Sequence, residues 1–125
     1  MEAKELMIGD LCCEWNNDHT EKHVVKVTQI QKEGVRDRYN VFHENDWIEP
    51  IPWTVDSAKE NGLVDCGDDI YQDDKRQWGV DFLKHEFYTF DEEVENTIKP
   101  ILFYHELQHA LRLVGLNEVA DTLKV

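Results

Sequence analysis

The chain has 125 residues, 41% of them hydrophobic, which is enough to bury a core within a single domain spanning 1–125. Asp and Glu number 27 against 13 Lys and Arg, for a formal net charge of −14. A field of that sign repels phosphate backbones, so direct nucleic-acid binding and attachment to anionic membranes are disfavoured, and a protein partner with a basic surface is favoured. No stretch approaches the roughly 20 apolar residues of a membrane span, and the acidic start MEAKEL lacks the regions of a signal peptide. The expected location is the cytoplasm, with Cys12, Cys13 and Cys66 reduced, since no two of them show C-x-x-C spacing.

The first part, 1–48, reads as a β-meander. Apolar residues at Leu6 and Ile8, and again at Leu11, Cys13 and Trp15, imply a strand whose phase changes at Gly9. Val25 and Val27 alternate with Lys26 and Thr28 in a strand running to Ile30, and Lys32-Glu33-Gly34 supplies a hairpin turn. A third strand through Tyr39, Val41 and Phe42 completes a meander that suits either a small SH3-like barrel or a plain antiparallel sheet.

Residues 49–63 form a Pro-rich segment and a short helix. Pro50 and Pro52 fix two φ angles and remove two donors, so the chain there is extended. Thr54 is placed to cap a helix through Val55–Asn61, which Gly62 ends. Region 64–90 reads as a hairpin that turns near Asp73-Asp74-Lys75, followed by a strand Glu86–Phe90. Its acidic run, including Asp68, Asp69, Asp73 and Asp74, lacks the alternating ligands and closing Glu of a calcium loop and reads as solvated turns.

The helical C-terminus occupies 91–125. Asp91-Glu92-Glu93 can open a first helical turn, and Pro100 is expected at the start of the main helix. Phe103, Leu107, Ala110, Leu111 and Val114 then make one apolar stripe, which packs on the sheet, and Gly115 ends the helix. The fold class is therefore α+β.

That helix contains His105-Glu106-Leu107-Gln108-His109, the H-E-x-x-H pattern. On a helix the two imidazoles lie four residues apart and can share one zinc, with Glu106 as general base on a zinc-bound water. A catalytic zinc needs a third ligand. Arg112 and Gly115 stand where the metzincin extension has Gly and His, which leaves Glu118, Asp121 and the upstream His85 as candidates. A shuffled chain of this composition spells the motif about 3% of the time, so the spelling alone does not establish a site. His19 and His23 are also four apart, but they lie in a polar turn region that implies solvent exposure.

Three anchors, ELMIGDL (Glu5 to Leu11), PIPWT with Gly62-Leu63, and YHELQHAL (Tyr104 to Leu111), occur in that order and span most of the chain. With them the chain resembles a group of small uncharacterised proteins of Bacteroides-type gut bacteria and their phages and mobile elements. Those proteins carry E-L-R-I-G-N at the start, P-I-P-L-T in the middle and V-H-E-L-Q-N-L-Y on a terminal helix. The resemblance implies that His109 stands where the pattern has Asn, so the zinc spelling is local to this chain. Asp10 for Asn and Trp53 for Leu are further departures.

Taken together, these features predict a non-enzymatic accessory protein that needs no cofactor and binds a host protein. A sharper form of the same expectation is inhibition of a nucleic-acid-processing defence complex, such as a CRISPR effector, through carboxylates presented to a basic groove. Asp68, Asp69, Asp73 and Asp74 are the candidate carboxylates, and Trp47 and Trp53, which flank the proline segment, are candidate anchors. The alternatives are a small zinc hydrolase using His105, Glu106 and His109, and a structural component of an assembly.

Overall fold

In the computed structural model the described residues are all but 17, 19, 90–96 and 99. They are α+β: three antiparallel sheets and a small number of helices. Two compact units follow one another, Met1–Ile51 and Pro52–Val125.

In the first unit a short 3-10 turn, Ala3–Glu5, precedes β1 (Leu11–Trp15), β2 (Lys22–Lys26), β3 (Gln29–Gln31), β4 (Gly34–Arg36), β5 (Phe42–Glu44) and β6 (Ile48–Glu49). These strands make two three-stranded sheets, ordered β2-β1-β6 and β3-β4-β5, and among the described residues neither closes into a barrel. The long strand expected from His23 to Ile30 is divided, because its backbone changes partners midway. Val27 bonds to Gly9 and Asp10 beside β1, whereas Thr28 already donates to Arg36 of β4. Tyr39 and Val41, expected within the third strand, are exposed in the turn before β5.

Both sheets contribute to one apolar core: Cys12 of β1, Val25 of β2, Val27, Val35 of β4 and Ile48 of β6, joined by Ala3 and Leu6. The expected inward phase of β1, Leu11-Cys13-Trp15, is thus replaced by the Cys12 phase. Leu11 and Cys13 are buried on the opposite face, where the Cys13 thiol meets the Glu49 carbonyl. Covering both faces of a strand removes the alternation on which the sequence reading depended. Asp10 is fully buried, and its carboxylate accepts the Met7 amide at 2.8 Å, closing the turn that aims β1.

The second unit holds α1 (Val55–Glu60) and the five-stranded sheet of β7 (Val64–Asp65), β8 (Ile70–Gln72), β9 (Trp78–Asp81), β10 (Glu86–Thr89) and β11 (Thr97–Ile98). The helices α2 (Tyr104–Leu113) and α3 (Asn117–Asp121) follow. The sheet order is β11-β10-β9-β8-β7, a meander. Thr54 caps α1 by accepting the Ser57 amide, and Gly62, at φ 77°, follows the helix. Both features are as the sequence predicts. The turn 73–77 between β8 and β9 is also where it was expected.

The main helix begins at Tyr104 rather than at Pro100. Residues 101–103 are extended instead, with Trp53 donating to the Leu102 carbonyl and Pro52 bridging Phe103. Leu107, Ala110 and Leu111 are buried as the stripe predicts, together with Tyr104 and Gln108. Tyr104 packs edge-on against Trp53, which stacks on Phe82, which in turn meets Tyr71 of β8. This aromatic chain ties α2 to the sheet. The expected turn at Asp91-Glu92-Glu93 lies outside the described residues.

Candidate functional site

The H-E-x-x-H segment occupies the first turns of α2, and its glutamate has a structural task. The first amides of a helix lack intrahelical acceptors. Glu106 stands at the third helical position, and its Oε1 accepts from both Leu102 and Phe103 amides at 3.0 Å. A carboxylate turned back onto the helix N-terminus in this way is the glutamate half of a capping box, not a base aimed at a metal-bound water. His105 is buried, stacked on Phe103 with ring centroids 5.9 Å apart, and the half-buried His109 meets it edge-on. Among the described residues no group of three His, Cys, Asp or Glu side chains could hold a metal. Of the expected third ligands, Asp121 pairs with Arg112 at 3.6 Å and His85 lies in the turn before β10.

The acidic turns divide into two groups. Asp68 and Asp69 lie between β7 and β8 and are both exposed. They occupy left-handed backbone, at φ 54° and 61°, directly after Gly67 at φ 85°. The Asp65 side chain accepts the Gly67 amide and holds that turn. Asp73 and Asp74 follow β8 at its other end, Asp73 about 13 Å from Asp69 at 3.3 Å per strand residue. Asp73 is turned inward, accepting the Gln77 and Trp78 amides at 2.6 and 3.0 Å, so its carboxylate shapes the hairpin. Asp74 is exposed.

The two candidate tryptophans also differ. Trp47, on the 3-10 turn Asn45–Trp47, is 39% exposed. Trp53 is 4% exposed, enclosed by Tyr104 and Phe82, and is a core residue rather than an exposed anchor. Its indole N–H is buried with no hydrogen-bond partner among the described residues, which offsets part of the gain from burying the ring.

Cys12 and Cys13 are not poised as nucleophiles. Burial pushes the Cys12 thiol up to about 12, helped by the neighbouring Cys13, Asp10 and Glu14. Burial likewise raises Cys13, against the opposing pull of Lys22. Both remain thiols at neutral pH.

The most connected polar cluster was not found from the sequence. His43 of β5 is buried, and its two ring nitrogens each meet a carboxylate: Nδ1 that of Glu14 on β1, and Nε2 that of Asp37 at 2.8 Å. Asp37 is itself fixed, because its other oxygen accepts the Tyr39 and Val41 amides. Burial alone would lower the His43 pKa, but the hydrogen bonds to Asp37 and Glu14 outweigh it and hold the ring above its ordinary value. Asp37 responds in the opposite sense. Its modest desolvation pushes it up, and the His43 bond with the two backbone donors outweighs that and holds it below the usual range. With both nitrogens facing carboxylates, the arrangement favours the imidazolium, whose two N–H donors match the two acceptors. Glu14 shares the phase of Cys12 on β1, the phase that the sequence pattern makes outward, so no sequence signal pointed here.

Comparisons with known families, curated proteins and solved structures give no match for this chain. No helix of the described residues is long and apolar enough to cross a membrane.

Proposed function

We propose that the protein is a non-enzymatic, acidic accessory protein of phage or mobile-element type that acts by binding a host protein with a basic surface. The observation that carries this reading is the fixed presentation of carboxylates on the second unit. Asp68 and Asp69 are adjacent, exposed and held by a left-handed turn, so little conformational freedom is lost when a cation docks on them. Asp74 adds an exposed carboxylate at the far end of β8. The formal charge of −14 supplies the long-range field that steers a basic partner and rejects free nucleic acid. A nucleic-acid-processing defence complex fits as the partner, because its phosphate-binding groove is a concentrated basic surface. The H-E-x-x-H helix contributes architecture to this reading, since Glu106 caps it and Leu107 and Leu111 anchor it.

The test is capture from host lysate at about 0.1 M salt, followed by elution at about 0.5 M, where screening shortens the reach of exposed charges about twofold. Recovery of a basic nuclease or nucleic-acid-binding complex in the salt eluate supports the reading. Recovery of acidic proteins alone, or of nothing, contradicts it.

A further inference from the structure

We propose that Glu14, His43 and Asp37 form a pH-dependent latch between the two sheets of the first unit, closed when His43 is protonated and released when it loses its proton. The latch rests on the geometry. Glu14 belongs to the β2-β1-β6 sheet, and His43 belongs to the β3-β4-β5 sheet, opposite Val35 of the shared core. An imidazolium has two N–H donors, one for each carboxylate it meets. A neutral imidazole has only one. Its other nitrogen then turns a lone pair toward a carboxylate oxygen, so one bond of the bridge is lost and replaced by repulsion.

Among the described residues neither carboxylate forms an ion pair with a cation other than His43. His23 on β2 lies opposite Glu14 in register and is exposed. Arg36 on β4 donates to the Asn40 carbonyl and lies over the Phe42 ring. Glu44, next along β5, is exposed, and β6 offers Ile48 opposite Glu14 and Glu49 paired with Lys22. The ring proton is therefore the charge that joins the two carboxylates across the sheets.

The sign follows from linkage. A group held above its unfolded value contributes fully below about pH 6.5, the ordinary value for His, and loses that contribution as pH rises through the folded-state value. One proton changes the unfolding equilibrium by at most about tenfold per pH unit within that interval, and by nothing beyond it.

The test is an NMR titration of the full chain from pH 5.5 to 9.5, with His43 assigned by the loss of its ring signals in His43→Gln. The expected result is a His43 ring titrating above about 6.5, with both ring N–H protons protected at the acidic end. In parallel, urea unfolding of the first unit is followed by the methyl signals of Val25, Val35 and Ile48. Its equilibrium constant is expected to rise with pH across the same interval and to level off above it. That rise shrinks in Asp37→Asn. A ring that titrates at or below 6.5, or a rise of equal size in Asp37→Asn, overturns the latch. If His43→Gln fails to fold, the ring is assigned in the unaltered chain through its correlations to the His43 backbone and its proximity to Val35, its register partner.

Discussion

Gly34→Ala perturbs the first unit at the point where its two hairpin strands approach most closely. A Cβ built on Gly34 lies 2.1 Å from the His43 carbonyl oxygen and 2.9 Å from the Phe42 ring. Carbon and oxygen do not approach within about 3 Å without repulsion, and the nearest atom is backbone, so β5 must move away from β4 by about 1 Å. Strands pair at about 4.8 Å, and a shift of that size weakens the ladder bonds of Val35 with His43 and their neighbours. Overpacking costs about 1–3 kcal/mol, and each weakened bond adds about 1 kcal/mol. The reduced freedom of the unfolded chain returns about 0.4–1 kcal/mol. The net loss is about 2–4 kcal/mol, a large part of the stability of a small domain. With a urea dependence of about 1–2 kcal/mol per molar, the midpoint falls by about 1–4 M. Methyl signals of Val35 and Ile48 across a urea series measure it. Gly62→Ala, in the second unit and followed by the methyl signals of Val80 and Leu107 there, is the control: its added Cβ meets nothing within 4 Å, so only its φ of 77° resists, at about 1 kcal/mol. A Gly34→Ala midpoint equal to that of the unaltered chain, or smaller losses than in the control, refutes the close-approach argument.

Glu106→Ala removes the acceptor of two amides at the start of α2 and costs about 1–2 kcal/mol in thermal or urea unfolding, whereas Glu106→Gln, which keeps an oxygen acceptor, loses less than half of that. Asn61→Ala unfastens the C-terminal segment, because the Asn61 side chain both donates to the Lys124 carbonyl at 2.9 Å and accepts its amide at 2.7 Å. The expected cost is about 1–2 kcal/mol, with faster exchange of the Lys124 amide. Asp37 gives an acid-side signature. Its carboxyl lies below the usual range when folded, so its contribution is present above the unfolded value near 4 and is lost as pH falls through the folded value. Asp37→Asn therefore flattens the acid limb of the stability curve below about pH 4.

What could be read from the sequence was what local chemistry determines. Thr54 and Gly62 bracket α1 because a capping hydroxyl and a left-handed stop act within a few residues. The β8–β9 turn and the buried stripe of α2 follow from the same kind of short-range rule. The start of α2 was misplaced because Pro100 suits a first helical turn, while the extended pairing of residues 101–103 with Trp53 and Pro52 is a tertiary contact. The strand running through Val27 looked continuous for the same reason, since its change of partner depends on Asp10 and Arg36. The His43 cluster joins residues 29 and 6 positions apart, and no periodicity connects them. H-E-x-x-H was ambiguous in the sequence because the Glu that would serve zinc chemistry is also a residue type that closes a capping box at that position.

The role of the acidic turns is tested most directly by Asp68→Asn, Asp69→Asn and Asp74→Asn combined in one chain. Asn accepts left-handed backbone as readily as Asp, so the turn keeps its shape while three exposed charges are removed. Binding of this variant and of the unaltered protein to the captured host partner is measured at two salt concentrations. The proposed function predicts that the variant binds at least several-fold more weakly at about 0.1 M salt, and that the difference narrows at about 0.5 M. Equal affinity of the two proteins at low salt, with the fold intact, contradicts it.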